Sequence, residues 1–160
     1  MAKSIKEMRE ELDKESVSYE ELFDESVKLA KKYQDKYNSF VTIMDKSAKE
    51  DSDSILSGIP YALKDNISTK GILTTASSNI LSNYVPVYDA TIVKKLRSAG
   101  ADFVCKASMD ELGMGGTNKN AYTGVVHNPY DLDRIPGGSS GGCAALVAAG
   151  CVPLAIGTDT

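Results

Sequence analysis

The sequence predicts an α/β domain, on three observations. Short apolar runs recur at residues 40–44, 59–63, 101–105 and 152–156, each the length of a buried strand. Segments suited to helices alternate with them, the order expected of strands layered against helices. Gly100 and Gly150 follow two of those segments, as glycine does at helix C-termini.

In chain order, residues 1–13 read as a short charged helix. Ser18 to Glu21 spells S-x-x-E, a capping box that satisfies free N–H groups at a helix start. A helix is therefore predicted from Tyr19 to about Tyr37, with Leu22, Phe23, Ala30, Tyr33 and Tyr37 roughly on one face. Phe40 to Met44 is a predicted strand, and the polar, serine-rich residues 45–57 a surface connection. The character changes at Gly58, which divides a helical arm and connection (1–57) from the main domain (58–160). Ile59 to Leu63 reads as a strand that delivers Lys64. Asp89 is expected to cap a helix through Arg97. Ala101 to Cys105 is a compact strand, and Ser108 is expected to cap a short helix over Glu111 to Met114. Residues 115–138 read as loop. Ser139 or Ser140 starts a small-residue helix through Ala149, and Val152 to Ile156 is the last strand. There is no internal repeat.

Composition narrows the function. The chain has 160 residues, 42% hydrophobic and 25% charged, with net charge −4 and a pI of about 5.0. A mildly acidic surface argues against direct, charge-driven binding to nucleic acid. No apolar run reaches the roughly 18 residues of a membrane span. Cys105, Cys143 and Cys151 form no C-x-x-C pair, and their odd number points to free thiols in a reducing cytosol. His127 is the single histidine and sits before an Asn-Pro turn. A zinc site or a Ser-His-Asp triad therefore has little raw material, and no metal site is predicted.

The strongest local signal is Pro136-Gly137-Gly138-Ser139-Ser140-Gly141-Gly142. A phosphate cradle is one reading, but no lysine follows the glycines as in a P-loop. A G-x-S-x-G nucleophile elbow is another, but Asp131 to Pro136 is polar loop rather than strand. A third is a serine presented to a distant lysine base, and the plainest is a flexible turn. Lys64, at the end of an apolar strand, is either a partly desolvated base or a strand-end lysine with its head in water. Gly157-Thr158-Asp159-Thr160 can aim backbone N–H groups at a developing oxyanion, or form an ordinary turn.

Taken together these segments resemble the amidase signature family. The matching blocks are Gly58 to Ile67 (GIPYALKDNI), Tyr88 to Leu96, Pro136 to Gly142 with its alanine-rich helix, and Pro153 to Thr160. The resemblance covers nearly all of residues 58–160 and implies a mixed β-sheet surrounded by helices. It also implies a catalytic Lys64, and a bridging Ser139 preceded by a cis peptide bond. Thr158, Asp159 and Thr160 would belong to the oxyanion segment. Met114, Gly115, Gly137 and Gly138 would form substrate-site loops. By the family pattern the nucleophilic serine sits three residues beyond Thr160. On that pattern the 160-residue chain is expected to be an inactive and less stable fragment, with the cis bond lost or its loop disordered.

Ser108 to Gly115 (SMDELGMG), Asn83 to Ala90 and Asn128 to Leu132 resemble the amidotransferase A subunits within that family. Ser108 and Leu112 depart from the usual Asn and Phe, and Cys143 from the usual Ser. This likeness implies a glutamine-hydrolysing subunit that supplies ammonia for converting Glu-tRNA(Gln) to Gln-tRNA(Gln). Its partners would be the B and C subunits of the amidotransferase, and tRNA would be met only through the partner. No cofactor is expected on this subunit, with ATP and Mg²⁺ at a partner, and the location would be cytoplasmic. The alternatives are a free-standing amidase acting on small carboxamides and a non-catalytic interaction module.

Overall fold

The computed structural model describes residues 3–159. The elements run α1 (Ile5–Asp13), α2 (Tyr19–Tyr37), β1 (Phe40–Ile43), β2 (Pro60–Lys64), α3 (Thr91–Ser98), β3 (Asp102–Ala107), α4 (Gly141–Ala148) and β4 (Leu154–Ile156). Two 3-10 turns, Asn79–Leu81 and Glu111–Gly113, interrupt the loops.

Both N-terminal helices begin with a capping box. The Ser18 side chain accepts from Glu21 N at 3.1 Å, and the Glu21 carboxylate accepts from Ser18 N at 2.8 Å. Ser4 and Glu7 repeat the arrangement at the start of α1. Each cap satisfies N–H groups that the first helical turn leaves unpaired. At the other end of α2, Asn38 takes a left-handed conformation with φ 50°. Its side-chain amide then donates to Thr123 O at 2.9 Å, pinning the later loop to the helix.

The sheet has the order β1-β3-β2-β4. β3 runs antiparallel to β1 and parallel to β2, and β2 runs parallel to β4. The sheet is therefore mixed. β2 is central, and all five of its residues are buried. Alternation along it divides the core. Ala62 packs with Phe23 of α2, Cys143 and Leu146 of α4, and Val104. Tyr61 and Leu63 pack with Val93 and Leu96 of α3. A third cluster, Met8, Leu22 and Ile59, fastens α1 to the body. Among the described residues no helix is long and apolar enough to cross a membrane.

Two expected caps are corrected. Asp89 does not cap α3, whose cap residue is Ala90 without a side-chain bond. The Asp89 carboxylate instead accepts from Lys70 N and Arg97 Nη1, both at 2.7 Å. Ser108 does not cap the 111–113 turn. It lies buried, its hydroxyl without a protein partner, and its backbone accepts from Gly142 N at 3.0 Å. β3 also runs past Cys105 through Lys106, a lysine with no exposed surface.

Candidate active site

The site forms where the carboxyl ends of β2 and β4 meet the loop leading into α4. Lys64 is the last residue of β2 and is fully buried. Its Nζ donates to Ser139 Oγ at 2.7 Å and to Thr158 O at 3.2 Å. Burial lowers its pKa from 10.5, because desolvation disfavours the ammonium; the carboxylates of Asp159 and Asp110 oppose that shift. Cys143 is nearly buried at the start of α4, and desolvation pushes its thiol up to about 12. It therefore stays neutral beside Lys64.

Ser139 precedes α4, and the peptide joining it to Gly138 is cis. The expectation of a lost cis bond or a disordered loop is thus overturned. The loop is held from several sides. Ser139 O accepts from Asp110 N at 3.1 Å. Ser140 Oγ donates to Thr158 O at 3.1 Å and accepts from Thr158 N at 3.3 Å. Asn66 Nδ2 donates to Thr158 Oγ1 at 3.1 Å. The stretch following β4 is thereby laced to both other parts of the site. Thr160 lies outside the described residues.

The predicted loop residues divide. Gly138 and Gly115 both press against Asp110, and a Cβ at Gly138 would also meet Gly116 C and Thr117 N at 2.7 Å. Met114 is largely exposed, and Gly137, with φ +84°, faces open space. Among the described residues no hydrogen bond ties either of them to Lys64.

Three buried charged side chains around the site were not singled out from the sequence. The Asp110 carboxylate accepts from Asn118 N at 2.9 Å and Thr117 N at 3.2 Å, gathering the 110–118 loop beneath Gly138. Asp65, next to Lys64, accepts from Thr75 N at 3.1 Å, Ser77 N at 3.2 Å and the Thr75 hydroxyl. Lys106 donates to Ile67 O, to Thr74 Oγ1 at 3.0 Å and to Thr69 Oγ1 at 3.2 Å. Desolvation lowers Lys106 to about 8, while Asp65 opposes the shift. Asp65 and Lys106 thus staple the loop that leaves Lys64. The one sequence signal was their position, an Asp directly after Lys64 and a Lys at a strand end.

A mixed sheet whose central strand ends in a buried lysine bonded to a loop serine has the layout of a Ser/Lys amide-cleaving centre. The Amidase family profile matches residues 13–160, and the chain belongs to that family. It is 48% identical over 162 residues to the A subunit of the glutamyl-tRNA(Gln) amidotransferase of Lactobacillus johnsonii, covering 98% of this chain and 34% of the relative. The corresponding subunit of Oenococcus oeni is 47% identical, covering 93% of this chain and 32% of the relative. The crystal structure of the same amidotransferase subunit from Thermotoga maritima superposes with a TM-score of 0.82 at 39% identity, covering 94% of this chain and 32% of that one. The chain thus spans about a third of the length of the curated relatives it matches.

Proposed function

We propose that the protein carrying this chain is the glutamine-hydrolysing subunit of a glutamyl-tRNA(Gln) amidotransferase. The observation that supports this reading is the 2.7 Å bond between the buried Lys64 Nζ and Ser139 Oγ, in a chain 42–48% identical to amidotransferase A subunits. In this reading Lys64, whose burial disfavours the ammonium, is the base. Ser139 accepts a proton from the attacking serine and hands it on to Lys64. Backbone N–H groups of the residues that follow Thr158 would face the developing oxyanion. Ammonia released from glutamine would pass to the B and C subunits, which would carry ATP, Mg²⁺ and the contact with tRNA. The setting is the cytoplasm, and the overall reaction is that of a ligase.

The experiment is to purify the protein carrying this chain together with the B and C subunits. The mixture is supplied with glutamine, ATP, Mg²⁺ and Glu-tRNA(Gln). The reading expects Gln-tRNA(Gln) to form and ammonia release to prefer glutamine over simple carboxamides. Hydrolysis of simple carboxamides without Gln-tRNA(Gln) formation would assign a free-standing amidase instead.

A further inference from the structure

On the sheet face opposite Lys64, a cavity of about 260 Å³ opens beside α3. Its floor is the ring pair Tyr61 and Phe103, with centroids 5.6 Å apart and planes tilted by 50°. Ile72, Val93 and Ala101 form apolar walls, and Lys46, Arg97 and Glu50 are the charged groups that line it. Tyr61 is only 2% exposed, no hydrogen bond joins its hydroxyl to another described residue, and the oxygen is not among the sealed, unpaired atoms, so it opens to the cavity. A ligand-sized apolar hollow with a few polar groups converging on it is the usual build of a small-molecule site.

We propose that this cavity binds a small monocarboxylate with a flat or branched apolar body, its carboxylate set between the Tyr61 hydroxyl and the Arg97 guanidinium. The cavity exceeds the roughly 150 Å³ hollow known to admit benzene. Burial holds Tyr61 protonated, so its hydroxyl is a donor. Arg97 commits Nη1 to Asp89 at 2.7 Å, which leaves other guanidinium N–H groups to donate. Lys46 and the uncommitted guanidinium N–H groups of Arg97 are the donors that would take a negative head, with Glu50 across the lining. The site is independent of the proposed glutamine chemistry, since Tyr61 and Lys64 point to opposite faces of β2.

The test is an amide-resolved NMR titration of the 160-residue chain with sodium benzoate, with benzyl alcohol as the neutral analogue and sodium chloride as the salt control. Saturable shifts are expected around Tyr61, Ile72 and Phe103, with a Kd on the order of 1 mM. Benzyl alcohol should bind about tenfold more weakly, because it forgoes charge-assisted bonds. Tyr61→Phe and Arg97→Gln should each weaken benzoate about tenfold, and Ile72→Trp should fill the hollow and abolish binding. Tyr61→Phe should also fold like the parent, since it keeps the ring and its packing against Phe103. That keeps the test valid if another variant folds poorly. Absence of saturable shifts, equal binding of benzyl alcohol, or unchanged benzoate affinity in Tyr61→Phe would each overturn the proposal.

Discussion

On the proposed relay, replacing Lys64 or Ser139 by alanine is expected to lower ammonia release from glutamine by about 10²–10⁴-fold, the usual contribution of a positioned proton-transfer group. A lysine with no exposed surface, at the end of an all-buried strand, loses hydration that favours its charged form. Its Nζ is 2.7 Å from Ser139 Oγ, within the range for direct proton transfer. Lys64→Ala removes the acceptor, and Ser139→Ala removes the bridge. Both act in one relay, so the double variant should be scarcely slower than the worse single one. The rates are measured on the protein carrying this chain, with steady-state ammonia detection. Multiplicative losses would assign the two residues to separate roles.

Gly142→Ala is expected to destabilise the chain by about 3 kcal/mol, the upper end for a forced overpacking. A Cβ there would run into Ser108 O and lie 2.6 Å from both Ser108 N and Ser39 O. All three are backbone atoms, and none can rotate away. The close approach is what lets Gly142 N donate to Ser108 O at 3.0 Å and seats α4 on the strand ends. Helix α4 carries the serine loop at its N-terminus, so the change also reaches the Lys64–Ser139 bond. Thermal unfolding followed by circular dichroism should show a fall of roughly 6–12 °C. A shift below about 2 °C would mean that the helix slides to make room.

How much of this was legible depended on the range of the interactions. Helix α2 was readable because its cap and its apolar face lie within one local segment, Ser18 to Tyr37. The caps assigned to Asp89 and Ser108 failed because other partners claimed those residues. Lys70 N and Arg97 hold Asp89, while the approach of Gly142 buries Ser108. β3 looked shorter than it is, since a lysine normally marks a surfacing chain. Lys106 stays inside because three loop oxygens take the place of water. Lys64 and Ser139 were marked by their motif blocks rather than by spacing, since 75 residues separate them. Asp110 and Asp65 act through bonds to backbone N–H groups of folded loops, and no linear pattern announces such contacts.

The central claim, that Lys64 serves as a base, is tested most directly by a side-chain nitrogen NMR titration of its Nζ, assigned by comparison with Lys64→Arg. The account predicts a pKa below the ordinary 10.5, because the buried site disfavours the ammonium. A larger neutral fraction is then available near neutral pH to accept a proton from Ser139. A pKa at or above 10.5 would contradict the account, for Lys64 would then remain a fully charged hydrogen-bond donor that cannot take up the proton.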